Sequence, residues 1–141
     1  MNEQSTVIRL QTWEYGTLDY DPSVPCIIAT HIGYATDDEF KEILNLGLAY
    51  AIVKRKTHGK IAWLADTLLM DGNTMAEWSA NDWAPRVQAG GIYHIAFVSP
   101  KDIFADLQIQ DFVKLGTQKI KTASFENIES AKEWLQHAMA I

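Results

Sequence analysis

One cysteine, Cys26, stands in 141 residues. No internal disulfide can form, and a single thiol fits a reducing compartment. Within VPCIIAT it reads as a strand core residue rather than a nucleophile. Basic charge is also sparse: 12 Lys and Arg against 18 Asp and Glu leave a net charge of −6. The only basic run, Lys54–Lys56, falls at an expected helix end, where it complements the dipole. Binding nucleic acid needs a basic stripe, so nucleic acid is not an expected partner. No apolar run approaches the ~20 residues that cross a bilayer. The N-terminus lacks the basic-then-apolar pattern of a signal peptide. A cytoplasmic protein that does not span a membrane is expected. No linker, repeat or low-complexity tract interrupts the chain, so residues 1–141 are expected to form a single domain. Only MNEQST at the start reads as disordered.

Catalytic signatures are equally scarce. No serine lies in a G-x-S-x-G elbow. His31, His58, His94 and His137 are scattered, without the spacing that ligates a metal. His31 and His94 fall in expected strands and would share a sheet face if those strands lie close. Neither a Walker nor a dinucleotide fingerprint is present, so no cofactor is expected. Asp66, Asp71 and Asp82 can approach the end of a central strand, where ligands of open α/β sheets gather. Asp71 in DGNT is also what a turn requires, and no catalytic residue is assigned.

What is present is a strong alternation of elements. VIRLQTWEY, TLDYD and CIIATHI read as strands, with a turn at Pro22–Pro25. TDDEFKEILNLGLAYAIVKRKTHG reads as a helix opened by a Thr36/Glu39 capping box and stopped at Gly59. Phe40, Ile43, Leu44, Gly47, Leu48, Ala51 and Ile52 form its apolar face. A second set, Leu46, Tyr50 and Val53, widens that arc. It is either covered within the subunit or forms a candidate interface between subunits.

KIAWLAD is a continuous apolar strand of the kind covered on both faces. Thr74 with Glu77 reads as a second capping box, opening a helix that Pro85 interrupts. IYHIAFVS is the next strand, and Ser99–Pro100 reads as the cap and first residue of another helix. KIKTASF is a strand, and Asn127 caps a closing helix with Ala131, Trp134, Leu135 and Ala138 inward. The order β-β-β-α-β-α-β-α-β-α predicts an α/β fold: a mixed, largely parallel sheet with flanking helices and right-handed crossovers. The aromatics Trp78, Trp83 and Tyr93, with Asp66 at the strand end, are the candidate lining of an apolar ligand pocket.

The strand ending WLAD, the segment EWSANDWAPRVQAGG, the strand IYHIAFVSPKDIF and the closing Phe125, Ala131, Trp134 and Leu135 resemble the bacterial SpoIIAA-like proteins. These are similar to STAS domains and, more distantly, to the SEC14 lipid-carrier fold. The resemblance runs from about Leu18 to Leu135. It implies a sheet with helices packed around it, no cofactor, and a role in protein–protein regulation or small-ligand binding. The reading that follows is a non-enzymatic module that self-associates as a homodimer and binds a protein partner. The alternative is a binder or carrier of a small apolar or lipid-like ligand. In anti-sigma-factor antagonists of this kind a Ser or Thr after the central strand is phosphorylated. Thr67 and Thr74 are the positions here that best match, though DGNTMAEW lacks that Ser and places Trp78 nearby.

Overall fold

The computed structural model describes residues 6–116 and 119–140. The expected disorder of the opening segment falls largely outside them. A six-stranded sheet runs in the order β1 (Ile8–Trp13), β2 (Gly16–Asp21), β3 (Cys26–Gly33), β4 (Ala62–Met70), β5 (His94–Val98), β6 (Lys121–Phe125). β1, β2 and β3 pair antiparallel, while β3 to β6 pair parallel. Each parallel strand adds on the same side of the last, so right-handed crossovers put their helices on one face. There lie α1 (Asp37–His58), the run of α2 (Ala76–Trp78), a π-helical turn (Ser79–Trp83) and α3 (Ala84–Ala89), and α4 (Ile103–Gly116). The opposite face is covered by α5 (Ile128–Met139), which returns over β4, β5 and β6.

Alternation along each strand splits the core in two. Leu18, Ile27, Trp63 and Ile95 face the crossover helices. Cys26, Ile28, Leu64 and Ala96 face α5 with Ala131 and Leu135. α1 begins as its local sequence dictates. The Glu39 N–H donates to Thr36 Oγ1 at 3.2 Å, and the Thr36 N–H donates to Glu39 Oε1 at 2.9 Å. Gly59, at φ 82°, closes the helix in the left-handed conformation that a side chain resists. Gly47 lets α1 lie close on the sheet: a Cβ there would fall 2.4 Å from the Trp63 ring.

Two helix starts differ from the local pattern. Thr74 does not cap a helix. Asn73 Oδ1 accepts from the Met75 N–H at 3.0 Å instead, and α2 begins at Ala76 without a side-chain cap. Ser99 and Pro100 do not open α4. Asp102 does, its Oδ2 accepting from Ala105 N–H at 2.9 Å and from Gly72 N–H at 3.1 Å. One carboxylate thereby caps α4 and holds the loop after β4. Gln108 Oε1 adds a bond from Asn73 N–H at 2.7 Å. Asn73→Ala is therefore expected to cost about 1 kcal/mol, the worth of one such bond, with Thr74→Ala near zero. Urea melts of both variants check this, and the reverse ranking would restore Thr74 as the cap.

Pro85 ends the π turn rather than the helix. It has no N–H to donate. The wider turn just before it is closed by the Ala84 N–H donating to Ser79 O.

Candidate functional site

The crossover layer does not close completely on the sheet. A partly open cavity of ≈ 50 Å³ lies between β3, β4 and β5 below and α1, the π turn and α4 above. Apolar groups make up most of its wall, among them Phe40, Trp63, Met70, Trp83, Phe97, Ile109 and Phe112. Trp83 sits edge-on to Trp63, 4.9 Å between ring centroids at 72°, and its Nε1–H donates to Leu44 O at 2.9 Å. The π turn aims this indole inward. That offset is why a tryptophan five residues after Trp78 is in the core while Trp78 is only half-buried. Trp78 lies instead beside the Lys41 and Arg86 cations.

Polar groups also face the cavity. The Thr67 hydroxyl donates to the Val98 carbonyl. Ser79 Oγ donates to Met75 O at 2.8 Å. His31 stacks on Phe40, 5.4 Å between centroids, and burial lowers its pKa to about 4. The imidazole is therefore neutral at ordinary pH. Sequence reasoning placed His31 in a strand but not in a cavity. Its signal was the inward phase of β3, shared with Ile27 and Ala29.

The other candidate residues are dispersed. Asp66 shares the phase of Leu64 and faces the α5 side, away from the cavity. Its Oδ1 accepts from Leu68 N–H at 3.3 Å. Asp71 is exposed in the loop after β4, and Asp82 is exposed on the π turn, paired with Arg86 at 2.9 Å. The three acids do not converge, because the parallel strands advance in one direction and leave no switch point between them. Tyr93 is exposed ahead of β5 and does not line the cavity. His94 lies against Trp134 of α5, on the face opposite His31, so the two histidines do not meet. Cys26 is buried under α5, and burial pushes its thiol pKa up, away from the reactive thiolate.

Thr67 is buried in β4 with its hydroxyl already bonded, which closes it to a kinase in the folded chain. Thr74 is exposed, but a phosphate there would meet Asp71 and Glu77 and no long helix. Leu46 and Tyr50 are half-buried against the edge of the core, whereas Val53 is 58% exposed. No group of three or more His, Cys, Asp or Glu side chains among the described residues gathers to hold a metal ion. No helix among them is long and apolar enough to cross a membrane.

The six-stranded mixed sheet, its helical layer and the returning α5 are the architecture of SpoIIAA-like domains, and a model of that family matches residues 27–136. No curated protein and no solved structure matches the chain. Such a match fits a regulatory or protein-interaction module. On a sheet of this topology, with the match spanning β3 through α5, the chain belongs to the SpoIIAA-like family.

Proposed function

We propose that the protein is a non-enzymatic regulatory or interaction module of the cytoplasm, working as a homodimer that engages a further protein. The observation that carries this reading is the apolar surface the fold leaves uncovered in two places. At the carboxyl end of the strands, Ile32, Tyr34, Leu69, Ile103, Phe104 and Leu107 are exposed, Phe104 to 70%. These positions are linked through the backbone: Asp71 N–H donates to Gly33 O, and Lys101 N–H donates to Leu68 O. Monomeric surfaces rarely leave so many large apolar groups together.

The second place is the flank formed by α1 and the β1–β2 hairpin. Val7, Ile8 and Val53 are exposed there, beside half-buried Leu46 and Tyr50. No strand among the described residues pairs with the outer edge of β1, and an open edge is a template for a second copy.

Charge divides the roles. Around the strand-end surface Asp71, Asp102 and Asp106 outnumber the exposed Lys101. Two copies meeting there would oppose like charges, so this surface suits a partner with a basic rim and apolar anchors. The flank carries both signs, with Arg9 and Lys54 beside Asp19 and Glu42. It suits self-association.

Sedimentation of the wild type, Leu46→Glu and Phe104→Asp separates the two surfaces. The expected result is a dimer that Leu46→Glu converts to monomer and Phe104→Asp leaves intact. A wild type that stays monomeric at high concentration removes self-association from the proposal. A dimer broken only by Phe104→Asp moves it to the strand ends.

A second reading, binding of a small apolar molecule, draws on the cavity. A dry cavity of about 150 Å³ admits benzene, so ≈ 50 Å³ holds no lipid tail.

A further inference from the structure

A third surface lies open beside the strand ends and the flank. α1 and α3 part to leave an open groove of ≈ 520 Å³, with Leu48, Ala49 and Ile52 on one wall and Ala89 and Gly90 on the other. The α1 residues recur at three-four spacing, so they form one stripe along the helix. The rim is small: Ala49 and Ala89 are exposed, and a Cβ on Gly90 would fall 3.0 Å from Ile52 Cγ1. Cations stand at both ends. At one end Arg86 Nη2 donates to Asn45 Oδ1 at 2.8 Å and pairs with Asp82 at 2.9 Å. Lys41, one turn before Asn45, holds its Nζ 5.5 Å from the Trp78 ring centroid. At the other end Arg55 lies on the Gly91 backbone, where a Cβ would fall 2.3 Å from its Nε. Neither Lys41 nor Arg55 pairs with an acid among the described residues. From Lys41 to Lys56, α1 carries one acid, Glu42, and that acid accepts from the Tyr15 hydroxyl of the β1–β2 turn at 2.8 Å. A chain of net charge −6 thus keeps one apolar groove between cations.

We propose that this groove receives an acidic amphipathic helix of a partner protein, its apolar face on Ala49 and Ala89 and its carboxylates on Arg86 and Arg55. Charge selects the partner: cations at both ends attract acids and repel a basic segment. The small rim lets another backbone come close, since interaxial distance follows the side chains at the contact. A helix fits better than an extended peptide because the groove offers no strand edge. An extended chain would leave its N–H and C=O groups without partners, whereas a helix closes its own. A small molecule needs most of its surface enclosed, which an open groove does not supply. Lys41 and Arg55 lie about 21 Å apart along the axis of α1, the length of about four helical turns. This surface is distinct from the strand ends, where the acidic rim calls for a basic partner.

The test is backbone-amide NMR on the full chain. One probe is a ~20-residue helical peptide with an Ala/Leu face flanked by Glu, and the other is the same peptide with Lys for Glu. The Glu peptide is expected to shift the Asn45, Ala49, Ala89 and Gly90 amides saturably, and to bind at least about ten-fold more tightly than the Lys peptide. Ala49→Phe, which fills the groove from an exposed position, and Arg55→Glu are each expected to weaken it by a similar factor, with Phe104→Asp leaving it unchanged. Equal binding of the two peptides, shifts centred on Phe104, or no saturable shift overturns the proposal and leaves the strand-end and flank readings standing. Sedimentation covers a second copy as occupant. A wild-type dimer that Ala49→Phe converts to monomer and Leu46→Glu does not would place that copy in the groove and overturn the proposal. If Ala49→Phe does not fold, Arg55→Glu and the two-peptide comparison on the wild type still decide.

Discussion

Trp83→Ala is expected to destabilise the protein by about 3–5 kcal/mol, the range for removing a buried aromatic side chain. The indole is 2% exposed and spans the site from α1 to α4. Its ring meets Trp63 on the sheet, and it lies 6.3 Å from Phe112 of α4. The Nε1–H bond to Leu44 O ties the π turn to α1 and is itself worth about 1 kcal/mol. Little can collapse into the gap, because one side is the sheet and the other already borders a cavity. Trp83→Phe keeps most of the contact area and is expected to cost about 1–2 kcal/mol, mainly the lost bond and some volume. Urea melts at constant m-value measure both. A cost for Trp83→Ala below that of Trp83→Phe would mean that the π turn is not docked as described.

Lys132→Met is expected to cost about 3 kcal/mol near neutral pH, through the other partner of its ion pair. Asp21, at the end of β2, has a side chain 2% exposed, and Lys132 Nζ of α5 reaches its Oδ2 at 2.7 Å. Ser23 donates to Oδ1 from its N–H at 2.9 Å and from its hydroxyl at 2.7 Å. Burial raises the Asp21 pKa, but the bonds from Lys132 and Ser23 outweigh it, and the net shift is downward. A carboxylate with a lowered folded pKa adds stability that is fully present above its unfolded pKa. That stability is lost as pH falls through the folded value. Without Lys132 two of the causes that lower the pKa are gone while burial stays, so the folded pKa rises and the variant loses less stability than the wild type as the acid protonates. The gap between wild type and Lys132→Met is therefore expected to shrink as pH falls from about 6 to about 3. A gap independent of pH would mean that Lys132 acts by packing alone.

The two ends of this pair are not equivalent. Asp21→Asn is expected to cost less, because Lys132, 26% exposed, can return its amine to water. Asp21→Leu combined with Lys132→Met is expected to recover most of the loss, as apolar replacements of buried pairs do. The pair matters out of proportion to its size because, among the described elements, α5 is the helix that covers this face of the sheet. Gln136 and Lys60 add bonds that hold the same helix, to Ser23 O and from Lys60 Nζ to Met139 O, each at 3.2 Å.

The element order, the burial of the Trp63–Leu64 strand on both faces, both α1 caps and the Asn127 cap were legible without coordinates. The Asn127 cap is seen in the Ser130 N–H donating to Asn127 Oδ1 at 2.8 Å. Each depends on neighbours within about four positions, whose spacing is written directly in the chain. The candidate site was less legible. Asp66 and Thr67 are adjacent in sequence and lie on opposite faces of one sheet. Asp102 outcompeted Ser99 as a cap because it also reaches the Gly72 N–H, thirty positions away.

By itself the sequence determined the class of fold, the positions of most elements and the absence of catalytic spacing. Local periodicity and capping carry that information at short range. Only the tertiary structure decided which helices share a face, that Trp83 turns inward, and that His31 lines a cavity. Those outcomes follow from the handedness of successive crossovers and from packing between segments far apart in the chain, which no short stretch of residues specifies.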